Sequence, residues 1–465
     1  MSASGSRVGI RERTVRLVLL WSAVLGSLVQ LGGVTTQERV GALVVLAIGV
    51  VAAVPVGQRA TMGRAVAVWA FVLVTVVSYL RLVVQPLALV SVRVMLGLAV
   101  MLLLVALIGY FAMLAPMSET TRQARLRCVL LSPVVFTVAN LALYLVGFQF
   151  PASVAQPGSV PTYGAAEMLG LVGINVARAT TFPLIASVDG TGAIAALSLV
   201  VCVLLARRNG RVRLRRFALV GLASSVVTIM LVDSRGPLVW ALIALALMAA
   251  LPWLRRGIGA LPLILPLAPA IILFVVGKLS ALAPVFSRGV NTNDFATASS
   301  RQEVWTAVIN FLSHLNGQFI YGWGAYGQVG SGVGYSYAYL FPGVPNAQFY
   351  SVHNVSLQLV LDTGVIGLAV FLWLLVTAIN GAYATYRASR SPESRALLGA
   401  LIVLGLLGGD EAVPGIAAIS LLVALVLMGF AASRNARPVR ARHPVPTTSS
   451  VRARDPVRAA HRVRA

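Results

Sequence analysis

The sequence predicts an all-α polytopic membrane protein, and three observations lead to that class. Of the 465 residues, 58% are hydrophobic and only 11% are charged. The mean hydropathy is +0.88. The apolar residues come in predominantly apolar stretches of about 20, the length that a helix needs to cross a bilayer. A water-soluble domain cannot bury that much apolar surface.

The apolar stretches predict about twelve transmembrane helices. Their approximate limits are 14–33, 40–57, 65–84, 91–115, 128–150, 184–206, 217–233, 237–254, 258–277, 353–378, 396–409 and 416–432. The first stretch resembles a signal peptide but lacks a clear small-x-small cleavage site, so we interpret it as a span that is retained. The membrane domain then covers 1–432. Residues 433–465 are rich in arginine and proline, which is typical of a disordered tail.

Arginine predicts the orientation. The runs at 121–127, 207–216 and 255–256 and the tail all fall on one side of the membrane if the N-terminus is cytoplasmic. Cytoplasmic loops carry such an excess, so we expect both termini in the cytoplasm and the chain in the cytoplasmic (inner) membrane. The net charge of +24 does not indicate a nucleic-acid partner, because it lies in short runs between apolar stretches. Anionic membrane lipids would attract the tail.

Residues 278–352 form a predicted outer loop of 75 residues, between the ninth and tenth spans. The loop holds 14 of the 35 aromatic residues of the chain, and a connection of that length usually has a function. Its glycines and aromatics, among them Trp323 and Tyr326, suit a surface that binds sugars by stacking and hydrogen bonding. An aromatic belt on lipid headgroups is the alternative, and the sequence leaves both open.

Arg235 is expected at the N-terminus of the eighth span, on the outer side. Ser234 is a plausible cap and Pro237 fits the first helical turn. A cation there lies beside unpaired amide groups that already favour an anion. A local pair with Asp233 is the alternative. Arg178 is a third outer-side arginine, for which a surface or ion-pair role is equally open.

Arg301 is expected to begin a helix inside the long loop, because Ser300 and Glu303 form a capping box. The helix should end before Gly317. Two outward arginines at helix N-termini suit a diphosphate, since guanidinium groups bind phosphate oxygens in a bidentate fork. The expected apolar face of the helix consists of Val304, Val308, Phe311 and Leu312.

His353 stands at the start of the tenth span. Asn354, Gln358 and Asp362 follow at four-residue spacing, so they share one helix face. Asp362 would lie about 13 Å along the helix from His353. A carboxylate at that depth faces the bundle interior or a wet cavity and requires a partner. Arg81 is our candidate partner, and Asp362 and Gln358 are expected to be structural. His353 could act as a base near neutral pH or cap the helix.

Four motifs resemble the O-antigen ligase and O-antigen polymerase superfamily. The signature of that superfamily is a histidine followed by Asn, Ser or Gln, then nine residues, then Gly-x-x-Gly. This chain resembles it with "HN", nine residues and "GVIG". "SRG" at 234–236 resembles the start of its shared domain. "SSRQEVW" followed by "YGWGAYG" resembles its large periplasmic loop. The resemblance covers roughly 170–380, with the signature at His353, Asn354, Gly364 and Gly367.

The resemblance implies a membrane glycosyltransferase of the GT-C type. Such enzymes act on the outer face on an undecaprenyl-diphosphate-linked glycan donor and need no metal, nucleotide or other cofactor. Family members pass the glycan to a lipid or cell-wall acceptor, or extend a polysaccharide. The essential arginines of the family map onto Arg235 and Arg301 and its histidine onto His353, which together imply an inverting mechanism. We expect a second group of residues to contact the substrate: Arg178, Asn354, Trp323 and Tyr326.

Other function classes stay open. The motifs do not separate a ligase from a polymerase. A twelve-span transporter usually shows two related halves, and no clear internal repeat is visible here. A flippase could bind the same diphosphate with the same arginines and do no chemistry. Cys128 and Cys202 show no spacing typical of a metal site or a disulfide framework.

Overall fold

The computed structural model describes the following parts of the chain: 66–85, 119–148, 166–170, 173–179, 182–185, 188–206, 212–253, 257–278, 301–314, 316–341 and 346–409, with scattered positions in 14–48 and 96–107. Within these ranges the protein is helical and forms no strand beyond one isolated bridge, Phe182 to Ile185. The predicted all-α class is therefore confirmed for the described residues.

The longer helices are labelled in chain order. They are α1 (Val66–Val84), α2 (Glu119–Leu145), α3 (Val188–Ala206), α4 (Val212–Leu231), α5 (Arg235–Ala250), α6 (Ala268–Lys278), α7 (Arg301–Ser313), α8 (Val355–Ser389) and α9 (Pro392–Leu407). In the described part of the chain, α1, α2, α3, α4 and α8 are long and apolar enough to cross a membrane. The layout of about twelve spans stays a prediction. The spans at 14–33, 40–57, 91–115 and 416–432 and the basic tail fall wholly or largely outside the described residues.

Helix α3 lies at the centre of the bundle. It is apolar on every side and buried along most of its length, as expected of a helix surrounded by others. It packs against α2, α4, α5 and α9, and α8 packs against α1 and α9. Gly399 lets α9 approach α3 closely, because a Cβ there would lie 2.3 Å from Leu204 Cδ1.

The bundle has two chemically different ends. At the basic end, α2, α4 and α9 begin and α8 finishes; Arg127 pairs with Glu393 at 2.7 Å, and Arg387 lies over the Tyr383 ring. At the opposite end, called the loop end here, α3, α5 and α8 begin. The backbone N–H of Val355 donates to Gly408 O at 2.9 Å there, joining the start of α8 to the end of α9. Positive-inside orientation would put the basic end in the cytoplasm, which remains a prediction.

The apolar stretch predicted as a span at 258–277 is helical throughout but is wound more tightly in its first half. Residues Ile258–Leu267 form a 3₁₀ helix, and α6 follows directly. Pro262 and Pro266 lie inside the 3₁₀ segment. Proline has no N–H to donate to an α-helical ladder, which accounts for the tighter winding of this segment.

The helix predicted inside the long loop is confirmed. Helix α7 begins at Arg301 and ends at Ser313, before Gly317. Val304 and Val308 are buried, and Phe311 and Leu312 pack against the same cluster. Ser300 lies outside the described residues, so the capping box stays a prediction. Short helical turns follow at Gln318–Tyr321, Gly327–Gly330 and Val333–Tyr337.

Candidate active site

Helix α8 is broken at Gly364, near the loop end. This residue has φ 70° and ψ −174°, a conformation essentially restricted to glycine. A Cβ at Gly364 would lie 2.2 Å from Ile320 O, so the loop backbone occupies the space where a side chain would be. The short first half of α8 therefore begins beside His353 and ends one residue before this break.

The motif "YGWGAYG" at 321–327 lies against the break, and we call it the wedge segment. A break leaves the preceding carbonyl groups without helical donors. Trp323 N donates to Leu361 O at 2.7 Å, and Gly324 N donates to Asp362 O at 3.1 Å. Ser78 Oγ of α1 also donates to Asp362 O, at 3.0 Å. The wedge segment and α1 thus satisfy the carbonyl groups that the break exposes.

Asp362 meets strong hydrogen-bond donors, as predicted, but Arg81 is not among them. Its Oδ1 accepts from Gly327 N at 2.7 Å and from Gln358 Nε2 at 2.9 Å. The Arg81 guanidinium instead donates to the carbonyl of Gly322 and lies 4.9 Å from the centre of the Tyr321 ring. The predicted Arg81–Asp362 pair is wrong because the wedge segment engages both residues separately.

His353 lies one residue outside α8, in the left-handed region with φ 52°. Its ring centroid is 6.4 Å from that of Tyr350. Asn354 is the N-cap: its side chain accepts from Leu357 N at 2.9 Å and donates to Gly409 O at 2.7 Å. Asn354 is buried and uses both ends of its amide within the protein. Its position favours fixing the start of α8 over contacting substrate.

Helix α7 begins at Arg301. Trp305, one turn later, joins this helix to Val352, the residue before His353. Trp305 is fully buried, and its Nε1 donates to Val352 O at 2.9 Å. Helix α7, which Arg301 begins, is therefore connected through Trp305 to the residue before His353.

Arg235 begins α5 and pairs with Asp233. Its Nε lies 3.3 Å from Asp233 Oδ1 and its Nη2 lies 3.4 Å from Oδ2. The local pair raised as an alternative is therefore present. Ser234 occupies the cap position but makes no capping hydrogen bond through its side chain, so that part of the prediction is wrong, whereas Pro237 lies in the first turn as expected. Arg178 Nε donates to Val232 O at 2.8 Å, so two of the predicted arginines meet at the α4–α5 turn.

The start of α3 packs against this turn. A Cβ at Gly192 would lie 2.3 Å from Ser234 Oγ, so α3 packs closely on the α4–α5 turn. Burial raises the pKa of the Tyr350 hydroxyl, and the charge of Asp189, in the first turn of α3, raises that pKa further. The α4–α5 turn thus packs on the first turns of α3, and the Tyr350 hydroxyl lies within the electrostatic influence of Asp189.

Trp323 and Tyr326 are half-buried within the loop. The Trp323 ring packs against Phe311 of α7, with centroids 5.2 Å apart. Tyr326 presents an edge contact to Phe349 at 5.6 Å. Both residues therefore have a packing function, and their contact with sugar stays a prediction. In the described residues, no group of three or more His, Cys, Asp or Glu side chains is placed to hold a metal ion.

Sequence reasoning missed Gly327, Gln328 and the anchoring role of the wedge segment. The motif "YGWGAYG" was a signal, since three glycines among aromatics indicate close backbone approach. A Cβ at Gly327 would lie 2.3 Å from Leu361 O. The sequence gives no indication of which distant backbone the glycines approach.

Residues 220–372 match a family model described as O-antigen ligase. The match begins within α4 and ends in α8 beyond the break, so it includes Arg235, Arg301 and His353 and excludes Arg178. No curated protein matches the chain. The resemblance of the motifs to the O-antigen ligase superfamily is confirmed by this match over residues 220–372, in a chain whose described part holds five helices long and apolar enough to cross a membrane.

Proposed function

We propose that this protein is a membrane glycosyltransferase that moves a glycan from an undecaprenyl-diphosphate-linked donor to an acceptor on the outer face of the cytoplasmic membrane. The acceptor is a lipid or a cell-wall component. One observation carries the proposal: the loop end of a single matched domain holds two helix-starting arginines and a histidine.

The arginines suit the donor. Arg235 and Arg301 each begin a helix, where the first amide groups have no helical acceptor and the helix dipole favours an anion. A guanidinium binds phosphate oxygens through two parallel hydrogen bonds, which a lysine cannot do. Asp233 holds the Arg235 guanidinium in one orientation. In the proposal both arginines, with Arg178 beside them, bind the donor diphosphate.

The reaction needs one proton transfer and one displacement. His353 accepts the proton of the acceptor hydroxyl as its oxygen attacks the anomeric carbon of the donor sugar. The bond from that carbon to the diphosphate oxygen breaks, and undecaprenyl diphosphate leaves with the bonding electrons. Arg235 and Arg301 stabilise the negative charge that develops on the leaving group. Attack opposite the leaving group inverts the anomeric carbon, and no metal takes part.

The loop aromatics suit the glycan. Trp323 and Tyr326 remain half-exposed after packing on Phe311 and Phe349, so part of each ring is accessible. Aromatic faces stack on sugars through their apolar C–H surfaces. These two residues are proposed to contact the donor glycan, and the lipid chain lies between apolar helices of the bundle.

A polymerase of the same superfamily is the second candidate. It needs the same donor site and histidine, and differs only in that the acceptor is itself a lipid-linked glycan. The family match applies to ligases and polymerases alike, so the products of the reaction must separate them.

The test is to reconstitute the full-length protein in vesicles with an undecaprenyl-diphosphate-linked oligosaccharide and candidate acceptors, and to resolve the products by mass. A ligase adds the donor glycan to the acceptor once. A polymerase gives a ladder of repeats on undecaprenyl diphosphate. If intact donor crosses the bilayer and no new glycosidic bond forms under any condition, the protein is a flippase and not a glycosyltransferase.

A matched pair of variants makes this test specific. Arg301→Lys at the loop end should lower product formation strongly. Arg387→Lys is the same substitution at the basic end, where the guanidinium lies 5.9 Å from the centre of the Tyr383 ring. It should leave product formation close to that of the unmodified protein. Equal losses in both variants would remove the site from the loop end.

A further inference from the structure

The segment 349–352 leads directly to His353 and depends on side chains for its hydrogen bonds. Gln328 Nε2 donates to Phe349 O at 3.1 Å and to Tyr350 O at 3.4 Å. Tyr337 Oη also donates to Tyr350 O, at 2.9 Å. Tyr337 and Gln328 are both buried. Two successive carbonyl groups of the segment are therefore fixed by buried side chains of the loop.

The last residue before the histidine is held on both sides of its backbone. Val352 N donates to Gln358 Oε1 at 3.2 Å, and Val352 O accepts from Trp305 Nε1 at 2.9 Å. Gln358 lies on the first half of α8, and Trp305 lies on α7. The segment is thus fixed between two helices.

The two glutamines form one directional network. Gln358 Nε2 donates to Gln328 Oε1 at 2.8 Å and to Asp362 Oδ1 at 2.9 Å. If the Gln358 amide were turned over, its NH₂ group would face Val352 N–H and its oxygen would face Asp362. If the Gln328 amide were turned over, its oxygen would face the carbonyl oxygens of Phe349 and Tyr350. Each amide therefore has one orientation in which its hydrogen bonds are satisfied. Asp362 also accepts from Gly327 N at 2.7 Å, which joins the network to the wedge segment.

His353 needs such support because its own backbone is strained. A non-glycine residue at φ 52° persists only when its surroundings determine it. The network fixes the chain before the histidine, and the Asn354 cap fixes the chain after it. His353 is therefore held from both sides by buried hydrogen bonds.

We propose that Gln328 and Gln358 are positioning residues that hold His353 in the orientation needed to activate the acceptor hydroxyl. This inference rests on the proposed function, in which His353 serves the acceptor. Neither glutamine touches the substrate in this account. A displacement of about 1 Å at a reacting group can cost about 100-fold in rate, so loosening the network should lower turnover without weakening donor binding.

The experiment uses the full-length protein in vesicles with Gln328→Met, Gln358→Met and the double variant. Methionine keeps the chain length and removes the hydrogen bonds. Gln302→Met is the matched control, because Gln302 is an exposed residue of α7. We expect each single variant to lower kcat about 10- to 100-fold, with the dissociation constant of the donor changed less than about twofold. The double variant should lose little more than the worse single variant, because the residues act as a unit.

A second readout does not depend on activity. Diethyl pyrocarbonate modifies accessible neutral imidazole, and mass spectrometry resolves the His353 peptide from the others. We expect the rate of His353 modification to change several-fold in both methionine variants and to stay constant in Gln302→Met. Tyr337→Phe removes one hydroxyl and serves if a methionine variant does not fold. It should lower kcat about two- to fivefold, the worth of one hydrogen bond.

The outcomes separate this inference from the proposed function. Folded glutamine variants with normal kcat and normal His353 modification would overturn the positioning inference, even if His353→Ala is inactive. If kcat and donor binding fall together while His353 modification is unchanged, the glutamines contribute only to general stability and the inference also fails. Full turnover by His353→Ala would instead overturn the proposed role of the histidine, whatever the modification rates are.

Discussion

Substitution of Gly364 by alanine tests the broken helix and its wedge segment. At φ 70° and ψ −174°, an alanine carries a conformational cost of about 1–3 kcal/mol. Its Cβ would also lie 2.2 Å from Ile320 O and 2.4 Å from Tyr321 N. These atoms are backbone, which cannot rotate away as a side chain can. Displacing the wedge would cost the hydrogen bonds that Trp323 and Gly324 donate to α8.

The magnitude follows from those contacts. Withdrawal of the wedge leaves Leu361 O without the Trp323 donor and separates Gly327 N from Asp362 Oδ1, at about 1–3 kcal/mol for each lost hydrogen bond, whereas Asp362 O keeps the bond from Ser78 Oγ. We therefore expect Gly364→Ala to destabilise the protein by about 4 kcal/mol or more, in the range of the most severe single substitutions. If residues 363–365 rewind into a continuous helix instead, the carbonyl groups regain helical donors, and the loss is that of the contacts between the wedge and α8.

Gly332→Ala is the matched control. Gly332 has φ 83°, and nothing lies within 4 Å of a Cβ built there. An alanine at this position has the conformational cost of a positive φ but collides with no atom, so we expect the free energy of unfolding to fall by about 1–2 kcal/mol. Reversible unfolding in mixed detergent micelles, followed by tryptophan fluorescence, measures both variants. Equal losses for Gly364→Ala and Gly332→Ala would refute the claim that the wedge occupies the break.

Substitutions at Asp362, Trp305 and Asn354 test the contacts around the histidine. Asp362→Asn keeps an acceptor for Gly327 N and should cost less free energy of unfolding than Asp362→Leu, which leaves that donor unsatisfied at about 1–3 kcal/mol; equal costs would exclude the anchoring role. Trp305→Phe removes the donor to Val352 O and should lower turnover more than Trp253→Phe, an exposed tryptophan; equal turnover would contradict the link between α7 and the site. Asn354→Ala should cost about 1 kcal/mol for the cap plus the bond to Gly409 O, and Asn354→Asp should recover the cap alone. Unfolding in mixed micelles measures this series, and no recovery by Asp would exclude capping.

Local patterns predicted much of the helical framework. Apolar stretches located α1, α3, α4 and α8 to within a few residues at most ends, because membrane-length apolar runs have few other outcomes. Four apolar positions repeating every three to four residues located α7. The shared face of Gln358 and Asp362 is also present, and both side chains are buried in polar contacts.

The break at Gly364 could not be predicted from local sequence. The stretch stays apolar across it, and the carbonyl groups it exposes are satisfied by residues roughly 40 positions away. The Arg81–Asp362 pair was wrong for the same reason: opposite charges at matching depths suggested a partner, but a non-local backbone segment supplies donors to one and acceptors to the other. Ser234 was expected to cap α5 from its residue type, whereas its neighbour Asp233 adopts φ 48° and pairs with Arg235.

The most direct test measures donor binding and turnover separately on the same reconstituted samples of Arg235→Lys, Arg301→Lys and His353→Ala. The lysine variants keep the charge but lose the bidentate fork, so donor binding should weaken. His353→Ala should bind donor normally and lose turnover by about 10²- to 10⁴-fold, the usual contribution of a general base. If His353→Ala abolishes donor binding while both lysine variants bind and turn over normally, the assignment of roles is reversed. If none of the three variants changes turnover, the loop end is not the active site.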